Sequence, residues 1–299
     1  MPLFTRPDGR LADVAPFRRM MPYIMRTRTE SAVYFEQKID LTKTREFIDA
    51  FNATQARRIT LFHLFLWAMV RVLHERPRAN RFVSGGRVYD RTGIWISYSA
   101  KKSLTDDAPI VVVKRRFDPS LSFAELVEAV HQDVSRGRSH EKSHVDKELS
   151  LLLRLPGPLL RFCVTLVRWL DAWNLLPGSF IRSDPMYASA FIANLGSVRL
   201  DSAYHHLYEY GNIPLFAAIG RARHEAVSDG KGRVGGRPVA SIKYTFDERV
   251  EDGLYCAGAL ERLRELVEDP AAGGAMPSRP DSIAVRDRAA AAIADSAIG

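Results

Sequence analysis

The sequence predicts an α/β fold, long enough for one large domain or two small ones, because short segments of alternating apolar and polar residues interleave with longer segments in which apolar residues recur at helical spacing. A glycine pair between two β-prone segments, Gly85-Gly86 between Phe82-Val83 and Val88-Tyr89, adds a hairpin. At 299 residues, with 46% hydrophobic and 26% charged residues, the chain can bury a well-packed core.

Residues 1–16 read as an irregular lead, and residues 17–28 as a short helix. Val33, Phe35 and Ile39 mark a strand over 32–39. A helix is expected over 42–52, with Thr42 or Thr44 as its cap, and a strongly apolar helix over 59–75, ending before Pro77. Residues 92–100 and 110–114 read as strands. In the helix expected over 123–136, Leu126, Val127, Val130 and Val134 share one face.

The segment 141–185 reads as a helical insertion, with a helix over 159–174. Arg161, Thr165 and Arg168 line one side of it, and leucines, valines and Trp169 cover the rest. The plain reading is a helix facing a core or another subunit, with a basic solvent edge. The alternative is a helix lying on a membrane or covering an apolar substrate, which would give peripheral membrane contact. Strands follow at 188–194, 215–223 and 240–246, the last two joined by a glycine-rich hairpin around 230–236. A helix over 254–267 ends the ordered pattern. The tail from 271 to 299 is rich in Ala, Gly, Ser and Pro and is expected to be largely flexible, with a short helix at 289–294.

Composition excludes several classes. Residues 151–181 form the most apolar stretch, but Arg154, Pro156, Arg161, Arg168 and Asp171 interrupt it. A membrane span needs roughly 20 mostly apolar residues. The two cysteines, Cys163 and Cys256, show neither disulfide nor metal-ligand spacing. No secretory signal is visible at the start, so a cytoplasmic location is expected. The formal charge of +8 comes from scattered arginines rather than a stripe interleaved with aromatics, so no nucleic-acid partner is expected.

One segment carries chemistry. Phe246-Asp247-Glu248-Arg249-Val250-Glu251-Asp252-Gly253 lies between a strand and a helix. It resembles the His-x-x-x-Asp-Gly signature of chloramphenicol acetyltransferase and of the catalytic domain of dihydrolipoamide acyltransferase, with Glu248 where that family has histidine. Three further segments agree in order: Phe191-Ile192-Ala193-Asn194-Leu195-Gly196, Asn212-Ile213-Pro214 with Ala218-Ile219-Gly220, and Phe17-Arg18-Arg19 with Lys38-Ile39-Asp40.

The resemblance covers residues 17–270. It implies an α/β two-layer sandwich, chloramphenicol acetyltransferase-like, with a mixed sheet and packed helices. It also implies a homotrimer, open to higher assembly, whose active sites lie between subunits. A coenzyme A thioester is the implied co-substrate, and no metal is implied. The lipoyl domain of a dehydrogenase core subunit would precede such a domain. The sequence begins almost directly at the catalytic domain, and Asp146-Lys147 follows a charged stretch rather than sitting in a hairpin, so no lipoyl group is expected.

By the same resemblance, Asp252 is the structural aspartate and Arg18 its arginine partner, with Arg19 the alternative. Glu248 replaces the base and Ala193 the serine that would stabilise an oxyanion. A carboxylate near pKa 6–7 serves as a base, so Glu248 is a candidate. The other reading makes Glu248 a structural carboxylate in an inactive scaffold or CoA-thioester-binding protein, a pseudoenzyme. His206, and beside it His205, is a second candidate base, oriented by Glu248 or Glu209. Asn194, Ser197 and Tyr208 are candidate substrate contacts, and Ser189 or Ser197 a replacement hydroxyl. If active, the protein is an acyltransferase with a small or lipid-like acceptor, and the acidic loop favours a cationic one.

Overall fold

The computed structural model of the protein describes residues 5–101, 110–138, 153–228 and 230–276. The chain begins with β1 (Thr5–Arg6), β2 (Gly9–Leu11), α1 (Pro16–Ile24), β3 (Ala32–Asp40), α2 (Thr42–Thr54) and α3 (Leu61–Glu75). It continues through β4 (Phe82–Ser84), β5 (Arg87–Arg91), β6 (Ile94–Lys101), β7 (Ile110–Phe117) and α4 (Phe123–Arg138). Then come α5 (Gly157–Ala172), α6 (Gly178–Ser183), β8 (Ala190–Asn194), β9 (Leu215–Ser228), β10 (Val234–Asp247) and α7 (Gly253–Glu268).

Six strands form a mixed sheet in the order β3-β10-β9-β8-β6-β7. β8 pairs in parallel with β6 and β9, and the remaining pairs are antiparallel. Strand alternation sorts the two faces. Ile192, Ala217, Ile219, Ile242 and Tyr244 meet α3, α4 and α7 in the main core, whereas Phe191, Phe216 and Ala218 meet the connection between β8 and β9. A sandwich of one sheet and one helical layer follows, as the resemblance implies. Beyond Pro238 the β9–β10 hairpin runs on as an arm with mostly exposed residues.

Helix α3 carries the core. Its residues from Phe62 to Val70 are all buried, and it ends before Pro77 as the sequence predicts. Burying each large apolar side chain there contributes roughly 1.5–3 kcal/mol. Helix α2 departs from expectation. Thr44 is buried and donates to the Val267 carbonyl at 2.7 Å, while Asp40 accepts from the Thr42 N–H at 2.9 Å. The aspartate, not a threonine, serves the helix start.

The lead also differs from the irregular segment expected. β1 and β2 join β5 and β4 in a second, four-stranded sheet. Periodicity cannot reveal strands this short. They are held instead by the buried Arg6, which bonds Asp8 and Asp171, each at 2.8 Å. The β4–β5 hairpin is as predicted, with Gly85 and Gly86 at φ +54° and +74°. Of the insertion expected over 141–185, residues 141–152 lie outside the described residues. So do residues 277–299, including the helix expected at 289–294.

His63 gives the core a pH dependence. Its Nδ1 accepts from the Thr60 N–H at 3.2 Å, so the ring must be neutral there. Burial, with a smaller effect of His131, pushes its pKa down to about 4. The unfolded chain therefore binds the extra proton first. Stability at neutral pH is lost as pH falls from about 6.5 toward 4, by up to about 3 kcal/mol. Urea denaturation of the wild type should weaken over that window, and His63→Gln should flatten the dependence.

Candidate active site

Strand β10 delivers Asp247 into the turn before α7, and the turn is fixed from several sides. Arg249 grips Asp247 in a buried fork, Nε to Oδ1 at 2.8 Å and NH2 to Oδ2 at 2.7 Å. Its remaining nitrogen donates to the Met25 carbonyl at 3.2 Å. The Glu248 N–H donates to the Ser31 carbonyl at 2.9 Å, and Arg18 donates to the Glu248 carbonyl at 2.7 Å. The buried Glu251 carboxylate takes Arg81 at 3.0 Å and Arg78 at 3.4 Å.

Asp252 is exposed and caps α7 by accepting from the Tyr255 N–H at 2.9 Å. That bond holds its carboxyl below the ordinary range. The expected Arg18–Asp252 ion pair is not made. Arg18 instead lies 4.0 Å from Glu251 and holds the turn by its backbone. The capping geometry points the Asp252 carboxylate back at its own helix. Arg19 is exposed and pairs with Asp13. Among the described residues, the Glu248 carboxylate alone in 247–252 has no hydrogen bond or ion pair of its own. It is half-buried.

The 200–214 connection covers the second face of the sheet. His205 stacks on Phe216, ring centroids 4.0 Å apart, and on His206 at 4.7 Å, and Tyr208 lies against both imidazoles. Each imidazole meets a carbonyl, His205 Nδ1 with that of His206 at 2.7 Å and His206 Nδ1 with that of Leu207 at 3.1 Å. A carbonyl only accepts, so both Nδ1 atoms carry hydrogen and both Nε2 atoms can accept a proton.

Glu209 does not orient either ring. Its carboxylate accepts from the Arg28 and Thr29 N–H groups. Burial alone would push its pKa up, but those bonds hold it below the ordinary range. Arg28 binds the Tyr208 and Gly211 carbonyls. Residues 25–31 thus clamp both the Glu248 turn and the histidine loop. Among the described residues, no hydrogen bond or ion pair joins Glu248 to His205 or His206. Asn212 has a structural task, bonding Asp8 and Arg91.

At the end of β8 neither replacement hydroxyl is offered to a substrate, because Ser189 is fully buried and Ser197 spends its O–H within the chain. Ser189 accepts from the Trp95 N–H at 2.9 Å, and Ser197 donates to the Asn194 carbonyl at 2.7 Å. Alternation sets Ala193 on the histidine-loop face and Asn194 on the helical face with Ile192. Sequence reasoning missed a hydroxyl chain on the open sheet. Ser202 meets Ser241 at 2.9 Å, and Ser241 donates to Glu36 at 2.6 Å. Lys243 sits over the Tyr204 ring nearby. The partners converge from three strands or loops with no sequence spacing to mark them.

A recess of about 150 Å3 opens behind the turn, lined by Arg26, Arg28, Gly85, Gly86, Arg168, Asp171, Glu209 and Arg249 among others. Among the described residues, no group of three His, Cys, Asp or Glu is placed to hold a metal ion. Removing the fork should be costly. Arg249→Ala leaves the Asp247 carboxylate buried without its cation, and equilibrium urea denaturation should show a loss of about 3–5 kcal/mol.

No family model matches the sequence, and no curated protein matches it. Solved structures do. The cubic core of a pyruvate dehydrogenase multienzyme complex superposes with a TM-score of 0.58 at 18% identity, covering 87% of this chain and 93% of that one. A probable dihydrolipoamide acetyltransferase from Listeria monocytogenes gives 0.56 at 14% identity, covering 86% and 93%. The truncated catalytic core of a 2-oxoacid dehydrogenase complex from Thermoplasma acidophilum gives 0.56 at 15%, covering 87% and 99%. The mixed sheet and its helical layer are therefore those of one known architecture: the chain has the fold of the dihydrolipoamide acyltransferase catalytic core.

Proposed function

We propose that this protein transfers an acyl group from a coenzyme A thioester to an amine, with Glu248 as the proton acceptor. The supporting observation is the commitment of the turn. Arg249, Arg18, Arg81 and the α7 cap fix residues 247–252, and among the described residues the Glu248 carboxylate alone of this turn is left without a protein partner. A rigid turn that displays one uncommitted carboxylate is organised for proton transfer.

A carboxylate suits an amine acceptor better than a thiol or alcohol. A thiol with pKa near 8.5 holds its proton too firmly against an ordinary carboxylate. An amine attacks in its neutral form. The nitrogen becomes cationic as the C–N bond forms, and it then loses its proton readily to Glu248. The C–S bond breaks, and CoA leaves as a thiol carrying that proton. The site would be completed between subunits of a homotrimer, as the resemblance implies. The listeria, archaeal and cubic-core neighbours support that assembly through their fold alone.

A second reading has its own support. The Ala193 side chain offers no oxyanion donor, Ser189 is fully buried, and Ser197 donates to the Asn194 carbonyl. Losing one such donor typically lowers the rate ~10²–10³-fold. A CoA-thioester-binding protein without turnover fits that loss. Thiol release from acetyl-CoA and longer acyl-CoAs with a panel of amines separates the two. Glu248→Gln should lower kcat/KM by ~10²–10⁴-fold while leaving thermal stability unchanged, because among the described residues the carboxylate has no partner to lose. Retained activity in Glu248→Gln with loss in His206→Ala would assign the base to imidazole. Thioester binding without release would leave the binding reading.

A further inference from the structure

Helix α5 presents three different faces. Leu160, Cys163, Val167 and Leu170 are half-buried and Asp171 is buried, so this stripe docks on the protein. Leu159, Phe162, Leu166, Trp169 and the C-cap Trp173 recur at spacings of three and four and are all exposed, Phe162 at 61% and Trp169 at 53%. Arg154, Arg161 and Arg168 are exposed beside them, and none forms an ion pair among the described residues. This stripe is therefore not covered within the chain itself, and of the expected covers, a core or another subunit, the chain's own core is not the one used.

A second apolar face lies close by. On α1, Phe17, Met20, Tyr23 and Ile24 are exposed, Phe17 at 71%. The two helices flank one hairpin tip. The Tyr23 ring would lie 3.2 Å from a Cβ at Gly86, and Ala172 of α5 would lie against a Cβ at Gly85. Between them opens the recess lined by Arg26 and Arg168. Among the described residues, neither of these guanidinium groups has a protein partner.

We infer that this face binds an anionic lipid bilayer, with α5 lying in the interface, its apolar stripe among the acyl chains and its arginines at the headgroups. Charge selects this occupant. The rim carries Arg26, Arg154, Arg161 and Arg168, while Asp171 is buried and held by Arg6. Anionic phosphates neutralise these arginines, whereas a second copy seated here would have to bring acidic groups to meet them. Tryptophan suits the boundary because its ring is apolar and its N–H is polar. No helix among the described residues is long and apolar enough to cross a membrane, so the contact lies on the surface.

Co-sedimentation of the full chain with vesicles tests this. The wild type should pellet with phosphatidylcholine–phosphatidylglycerol vesicles and not with phosphatidylcholine alone, and brominated acyl chains should quench its tryptophan emission. Phe162→Glu with Trp169→Glu should abolish binding and quenching, with circular dichroism and thiol-release activity unchanged. Arg161→Glu with Arg168→Glu should weaken partitioning at least ~25-fold, since each basic side chain near an anionic surface contributes about fivefold. Absence of binding to the anionic vesicles overturns the inference. So does binding that survives Phe162→Glu/Trp169→Glu. A change of assembled mass in that variant, without vesicle binding by the wild type, makes the face a subunit contact instead.

Discussion

The fork between Arg249 and Asp247 is the contact on which the candidate site depends. Both groups are buried, and either alone would be an uncompensated charge. The pair closes the turn after β10, while the third guanidinium nitrogen reaches the carbonyls of residues 25 and 26. That reach ties the turn to the segment that also holds the histidine loop through Arg28. The position of Glu248 is thus set by contacts in which its own side chain takes no part. A second arginine, Arg6, does comparable work for the small sheet by joining it to α5 through Asp171.

Much of the architecture was legible in the sequence. The apolar run of α3, the face of α4 and the Gly85-Gly86 turn each follow from one local rule, periodicity or backbone freedom. The turn at Asp247–Gly253 was legible because its residue types and spacing persist. The partners were not. The resemblance pairs Arg18 with Asp252, but a helix cap competes for that carboxylate and wins. Glu209 was read as a group that could orient a histidine, but backbone amides from the 28–29 segment claim it. Such choices depend on which polar groups arrive from distant segments, and no window of sequence contains that information.

The same limit explains the missed β1 and β2 and the uncovered stripe of α5. Strands of two or three residues have no periodicity to detect. Helix α5 is apolar over most of its circumference, which the sequence showed. Which part would be covered depended on the narrow stripe that Asp171 and Val167 dock, and a tertiary contact decides that.

Sheet topology carries a cost in time. β8 lies at the centre of the sheet but follows β6 and β7 only after α4, α5 and α6, and edge strand β3 pairs only with β10 near the other end of the chain. During synthesis the amino-terminal half therefore emerges with β3 unpaired and one edge of β6 open. Closing such distant pairings is slow, and open strand edges are sites of aggregation. The nascent chain is thus at its most vulnerable while α1 to α6 are already present and the last two strands are still inside the ribosome.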